Sequence, residues 1–265
     1  MKIQLIAYDY ALNPNNKMDI IVDVVNASTS DLILFPGHSM RDMNDLFYAE
    51  QDITNKHSLA ILELEESAPS SCMYMRNSLF MLHGGLFFDL YTSQVFDTEA
   101  DLEGNDALMD KFLDETKRRQ FACCGNRITV LQGGETAMLA GHGLNLDFRF
   151  KDNAVLNRRY QNLMAGTDIF LNPIGERMAI GERADNQAAT LQRFAALSSD
   201  GRWCIATGVL GPDQSGNFSY RQLQLVYHDG REVSVRPDVH HEEGYVSRIL
   251  EIPDRVAPWP SSTPS

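Results

Sequence analysis

The residues whose chemistry could serve a function lie near three short segments of the sequence. The adjacent thiols of Cys123 and Cys124 come just before an apolar strand, where a displaced nucleophile could sit. His38 and Glu135 are acid–base groups that each follow a glycine turn. Each group also has an ordinary structural interpretation, as a small buried hydrophobe, a loop hydrogen bond or a helix cap. Both interpretations stay open at this level.

The segment from Arg127 to Met138, RITVLQGGETAM, has the pattern that presents a nucleophile in several hydrolases. An apolar β-branched run that ends in a small-residue turn can lift a cysteine or serine out of a sheet edge. Here the turn carries Gly133 and Gly134 instead. The hydroxyl of Ser93 has no evident histidine and aspartate partners that would activate it. Whether the protein is an enzyme therefore depends on what the missing nucleophile means.

Three other groups of polar residues could be metal ligands but favour simpler interpretations. His142 is flanked by glycines, and a lone histidine is weak evidence for a metal. In 240–243, HHEE, adjacent side chains of an extended segment point in opposite directions. The acidic stretch 97–106 lacks the spacing of an EF-hand loop. We predict solvated loops, and neither a metal nor a cofactor.

The elements that must position these residues mix hairpins with strand–helix–strand units. A first β-α-β unit is predicted from 2 to 36, and a hairpin is predicted around Gly84 and Gly85. Helices are predicted at 107–120, 153–165 and 182–197, and a second hairpin around Asp229 and Gly230. This mixture favours a layered α/β sandwich over a doubly wound sheet.

Composition predicts a globular protein with one large domain. The chain has 265 residues, of which 43% are hydrophobic and 22% charged. The formal net charge of −13 disfavours nucleic acid as a partner. The four cysteines form neither a disulfide framework nor a zinc motif, which suits a reducing compartment. With no signal peptide or membrane-spanning apolar run, we predict a cytoplasmic protein without membrane partners.

Several segments, in this order, resemble the carbon–nitrogen hydrolase (nitrilase) superfamily. The sequence has DLILFPG at 31–37, LYTSQ at 90–94 and the 128–135 strand and turn, followed by AGTDIFLNP at 165–173. Later segments, WCIATG at 203–208 and QLVYHDG at 224–230, are similar to the last core strands of that family. The resemblance covers about residues 1–235 and implies a four-layer αββα sandwich.

The resemblance also implies where a catalytic set would lie. The family uses a glutamate as base, a lysine for the oxyanion and a cysteine as nucleophile. These roles fall on Gly37, Ser93 and Gly133, so all three functional groups are missing. Losing both charges together avoids stranding a buried carboxylate. The inferred pocket comprises Gly37, His38, Ser93, Gly133, Gly134 and Glu135, and it could bind a ligand, fill with water or be closed by neighbours.

We therefore predict a nitrilase-like pseudoenzyme that binds a ligand or acts as an assembly module. The alternatives are an active amidase-like hydrolase that uses Cys123 or Cys124, and a metal phosphoesterase of similar shape, for which no terminal Asp–His pair is found. We expect residues 1–236 to form the domain and 237–265 an extension, disordered or held by a partner from about 256. The resemblance implies a homo-oligomer.

Overall fold

A computed structural model of the chain describes residues 1–9, 14–65, 77–142, 145–177, 184–210, 224–235, 239–241 and 244–253. The described helices are α1 Pro14–Ala27, α2 Met43–Asp52, α3 Asp106–Glu115, α4 Ala154–Ala165 and α5 Ala184–Leu197. The described strands are β1 Lys2–Asp9, β2 Leu32–Leu34, β3 Leu59–Leu64, β4 Ser78–His83, β5 Leu86–Ser93, β6 Gln120–Cys123, β7 Asn126–Val130, β8 Leu139–His142, β9 Asn145–Phe148, β10 Ile169–Arg177, β11 Trp203–Leu210, β12 Gln224–His228, β13 Arg231–Glu232, β14 Val239–His241 and β15 Tyr245–Glu251.

These strands form two large mixed sheets and one short hairpin. Sheet I has the order β5-β4-β3-β2-β1-β15-β14, and sheet II the order β6-β7-β10-β11-β12-β13. The sheets meet where Tyr8 and Asp9 of β1 pair with Val209 and Leu210 of β11. β8 and β9 form a separate pair. Because β1, β2 and β3 are parallel, as are β7, β10 and β11, several strands of each sheet end at the same edge.

The two sheets stack face to face with helices on both outer sides. The core between the sheets joins buried residues of both, among them Leu5, Leu34, Ile61, Val130, Leu171 and Ile205. A second core packs α1 and α2 on sheet I, and a third packs α3, α4 and α5 on sheet II. Alternation along the strands explains this, because successive side chains point to opposite faces. The αββα architecture predicted from the sequence is confirmed.

The hairpins and several helices also match the predictions, whereas β6 was missed. The predicted helix 107–120 ends at Glu115 and continues as a 3-10 turn from Thr116 to Arg119. β6 follows directly and pairs with β7 as an edge strand of sheet II. Its exposed and half-buried residues alternate over four positions only, which is too short a pattern to distinguish a strand.

The C-terminal part of the described chain joins sheet I. β15 pairs antiparallel with β1 over seven residues, from Lys2 opposite Glu251 to Tyr8 opposite Tyr245. The side chains of Leu250 and Ile252 are buried in the core between the sheets. This stretch falls within the predicted extension 237–265, while the tail from about 256 lies outside the described residues. The domain division itself stays a prediction.

Candidate functional site

The end of β2 brings Gly37 against the side chain of Glu63, which comes from β3. A Cβ atom at Gly37 would lie 2.3 Å from the backbone nitrogen of Gly175 and 2.6 Å from Oε2 of Glu63. Such distances are too short for real Cβ contacts, so position 37 accommodates only glycine. The place where the resemblance puts a catalytic glutamate is thus filled by neighbours, including a carboxylate from the next strand.

Glu63 is a buried carboxyl group held by two donors. Its Oε1 accepts a hydrogen bond of 2.6 Å from Nε2 of Gln132, and its Oε2 accepts one of 2.9 Å from the backbone nitrogen of His38. The imidazole Nε2 of His38 lies 3.8 Å from the same Oε2. Burial raises the pKa of Glu63 to about 7, and the hydrogen bonds from Gln132 and His38 oppose that rise.

Gln132 is the polar side chain that the strand end of β7 contributes to the site. It is fully buried, and its Nε2 also donates to the backbone oxygen of Asn77 at 2.7 Å. Among the described residues, Oε1 of Gln132 and Oδ1 of Asn77 are buried acceptors without a hydrogen-bond partner. Buried acceptors of this kind call for a donor from water or a ligand.

The glycine turn after Gln132 is packed against the segment that follows β5. Gly133 has φ of 44°, and a Cβ there would lie 2.8 Å from the side-chain Nε2 of Gln94. A Cβ at Gly134 would lie 1.6 Å from the backbone oxygen of Asp97. The side chain of Gln94 is itself fixed by Asn77, which donates to its Oε1 at 2.8 Å. A side chain at position 133 would therefore have to displace the side chain of Gln94 and adopt a strained positive φ.

A buried ion pair anchors the other side of the turn. Arg119 and Glu135 are both 0% exposed and form a short salt bridge. The guanidinium also donates to Oγ1 of Thr92 at 2.8 Å and to the backbone oxygen of Ser93. Glu135 in turn accepts from the backbone nitrogens of Gln132 and Val95, each at 2.8 Å. The carboxylate is thus engaged in fixing the turn, close to its predicted role as a cap.

Two of the cysteines lie at the far end of β7 from this site. Cys123 ends β6, and Cys124 occupies the turn that leads to Asn126 at the start of β7. Asn126 and Gln132 are six residue steps apart along extended chain, which is about 20 Å. Burial, with a further contribution from Cys124, raises the pKa of the Cys123 thiol to about 12. Cys204 is buried, and Cys72 lies outside the described residues.

Other residues singled out in the sequence are not brought to the site by the described structure. His142 ends β8, and His240 and His241 lie in β14, but their side chains, with Glu242 and Glu243, are outside the described residues. Among the residues that the structure describes, no three His, Cys, Asp or Glu side chains cluster as metal ligands. No described helix is long and apolar enough to cross a membrane.

The structure places His38, Gly37, Gly133, Gly134, Ser93 and Glu135 around neighbouring turns, although their role as a ligand pocket stays a prediction. Sequence reasoning missed three central residues, namely Glu63, Gln132 and Arg119. A signal existed for Glu63, because a carboxylate inside the apolar strand LAILEL must be paired or neutral when buried. Arg119 gave no such signal, since it belongs to the basic triplet KRR at 117–119, and a run of this kind normally marks an exposed surface.

The four-layer αββα sandwich is the fold of solved carbon–nitrogen hydrolases, and the chain has that fold. No family model and no curated protein matches the sequence. The fold assignment therefore depends on solved structures.

Three solved structures resemble the chain at low sequence identity. A carbon–nitrogen hydrolase from Helicobacter pylori has a TM-score of 0.53 at 11% identity, with 94% of this chain and 88% of that chain covered. A CN-hydrolase superfamily protein from Xanthomonas campestris gives 0.51 at 13%, covering 95% and 90%. A glutamine-dependent NAD+ synthetase from Acinetobacter baumannii gives 0.53 at 12%, covering 95% of this chain but only 46% of the synthetase. At these identities the likeness concerns the fold.

Proposed function

We propose that the protein uses a carbon–nitrogen hydrolase fold to bind a ligand or a partner, and does not cleave C–N bonds. The observation that carries the proposal is the contact at Gly37, where Glu63 and the backbone of Gly175 fill the space that a side chain would need. A pseudoenzyme is expected to lose the catalytic groups and to repack the space they leave. The contacts of Gly37 and Gly133 have this character.

The chemistry of C–N hydrolysis supports the same conclusion. Attack on an amide or nitrile carbon needs a thiolate, a base within hydrogen-bond reach and a positive charge where the oxyanion develops. The turn after β7 carries Gly133 and Gly134, and the buried cation that contacts it, Arg119, is paired with Glu135. Glu63 could serve as a base, but it faces the amide of Gln132.

The same residues are suited to bind a small polar ligand. Glu63 offers a carboxyl group whose pKa of about 7 allows it to accept or donate a proton near neutral pH. The unpartnered Oε1 of Gln132 and Oδ1 of Asn77 favour a ligand that donates hydrogen bonds through N–H or O–H groups. Such a ligand would donate hydrogen bonds to those acceptors, with Glu63 and Gln132 as its main contacts.

The alternative function is an active hydrolase with Cys123 or Cys124 as nucleophile. The raised pKa of Cys123 leaves its sulfur as a neutral thiol near pH 7, which is a poor nucleophile. The turn also lies about 20 Å along β7 from Gln132. Both observations favour the pseudoenzyme.

The proposal is tested by screening small amides, amines, nitriles and carboxylic acids for thermal stabilisation and for ammonia release in parallel. We expect at least one compound to stabilise the protein without ammonia release, and Glu63→Gln to weaken that stabilisation while the exposed control Glu103→Gln keeps it. Ammonia release that saturates with substrate would contradict the proposal. Stabilisation that is unchanged in Glu63→Gln would exclude this site.

The partner that we propose for this protein is a second copy of the same chain. Large apolar side chains are exposed on two neighbouring elements, with Phe47 and Tyr48 on α2 and Leu86, Phe88 and Tyr91 on β5. Exposed apolar clusters commonly mark protein interfaces. Sedimentation equilibrium should give a dimer or larger, and Phe88→Glu should shift the equilibrium to monomer. A monomer at all concentrations would contradict this part of the proposal.

A further inference from the structure

The turn between β6 and β7 holds two thiols side by side at the surface. Cys123 pairs with Asn126, so Cys124 and Gly125 form a two-residue hairpin turn. Both turn residues have positive φ, 48° and 78°, as the common two-residue hairpin turn requires. The turn therefore fixes the backbone that carries the two cysteines.

The sulfur atoms are close enough to share one bound atom. The Sγ atoms of Cys123 and Cys124 lie 3.9 Å apart. Two thiolates on one tetrahedral zinc at about 2.3 Å are separated by roughly 3.8 Å, so the spacing fits a chelate around a single thiophilic centre. Cys124 is exposed and Cys123 half-buried, which gives a small molecule access to the pair.

We propose that Cys123 and Cys124 form a dithiol site that captures monosubstituted trivalent arsenicals and chemically similar thiophilic reagents. An arsenical R–As=O condenses with two S–H groups, so two As–S bonds form, the As=O bond is lost and one water leaves with both protons and the oxygen. No electrons are exchanged. Because both thiol protons leave in the water, the balance holds for two neutral thiols.

The number of available ligands explains why the site suits an arsenical better than a structural metal ion. Structural zinc takes four protein ligands. In the part of the chain that the structure describes, no cluster of three or more metal-ligating side chains includes this turn. A monosubstituted trivalent arsenical needs only two thiolates, because its third bond is to carbon.

The site is independent of the proposed ligand-binding region. It lies at the start of β7, whereas Gln132 follows the end of that strand. Capture of an arsenical at Cys123 and Cys124 is therefore expected without any change in the binding role of Glu63.

The test uses phenylarsine oxide with the full-length folded protein and intact-mass spectrometry. We expect one adduct per chain, formed with loss of one water, resistant to excess monothiol and reversed by a 1,2-dithiol. Peptide mapping should place it on Cys123 and Cys124. Because a chelate gains from effective concentration, Cys123→Ser and Cys124→Ser should each weaken binding by about 100-fold.

Matched controls distinguish this pair from the remaining thiols. Cys72→Ser and Cys204→Ser should bind phenylarsine oxide as the wild type does. Binding within about threefold of wild type in Cys123→Ser or Cys124→Ser would overturn the proposal, since no chelate would then operate. Loss of binding in Cys72→Ser, or an adduct mapped to another pair, would overturn it as well.

Discussion

At the scale of single residues, the molecule depends on buried charge that is fully partnered. Arg119 and Glu135 are both inaccessible to water. Their remaining hydrogen bonds go to Oγ1 of Thr92 and to backbone groups at the end of β5 and in the turn after β7. A buried pair adds little net stability, but removing one partner leaves an uncompensated charge. The pair is therefore more a constraint on the turn than a source of stability.

Glu135→Gln should lower the free energy of unfolding by about 3 to 5 kcal/mol, because the buried guanidinium of Arg119 would lose its counter-charge. Urea unfolding followed by circular dichroism measures the change. The control is Asp114→Asn, which removes surface ion pairs with Lys117 and Arg159 and should cost about 1 kcal/mol or less. Equal effects in the two variants would mean that the pair is not buried as described.

The pH dependence of stability should report the carboxyl group of Glu63. Its folded-state pKa of about 7 lies above the ordinary 4.5, so the folded state binds more protons between these values. Stability from this group is therefore present at low pH and falls by about 3 kcal/mol as pH rises from about 4.5 to 7. Urea unfolding at pH 5 and pH 7.5 measures the change. The free energy of unfolding should fall between these pH values in the wild type, and this fall should be absent in Glu63→Gln.

The exposed variant Glu103→Gln is the control for that measurement, and its pH dependence should follow the wild type. If Glu63→Gln also kept the full slope of the wild type, the proton would be binding elsewhere. A slope of opposite sign would show that the folded state favours the ionised carboxylate.

At the scale of elements, the turn after β7 is defined by its close approach to the segment after β5. Gly134→Ala should lower the unfolding free energy by about 3 kcal/mol or more, because a Cβ would meet the backbone oxygen of Asp97, which cannot move aside easily. Thermal and urea unfolding measure the loss. A substitution tolerated at Gly134 would contradict the packing of the turn.

Gly104→Ala provides the comparison for Gly134→Ala. Gly104 has φ of 65°, but a Cβ there meets nothing within 4 Å. The expected cost is about 1 kcal/mol, from backbone conformation alone. A larger effect at Gly104 than at Gly134 would reverse the proposed order of constraints.

The sequence predicts the fold better than the site, and the reason is physical. Strands and helices such as β1, α1 and β11 have hydrophobic periodicity, which is a local signal. The site depends on contacts between residues that are distant in the sequence. Glu63 and Gln132 are 69 positions apart, and Arg119 and Glu135 are 16 positions apart, so no local sequence pattern predicts these contacts. Gly133 and Gly134 were recognisable as unusual, but the neighbours that require glycine there, Gln94 and Asp97, were not.

At the scale of the whole molecule, β15 connects the C-terminal region to the first strand of the chain. A protein ending at residue 236 would expose the edge of β1 and remove the buried side chains of Leu250 and Ile252. We expect it to be insoluble or unfolded, as judged by circular dichroism and gel filtration. A 1–236 protein as stable as the full chain would show that the predicted domain folds without β15.

The central claim is that the fold operates without a catalytic thiolate. It is tested most directly by the rate at which iodoacetamide alkylates each of the four cysteines of the folded protein at pH 7, resolved by peptide mass spectrometry. The account predicts that none reacts faster than an ordinary free thiol and that Cys123 reacts more slowly, because its pKa is raised. A cysteine alkylated about tenfold or more faster than a model thiol would contradict the account, since such a rate indicates an activated nucleophile.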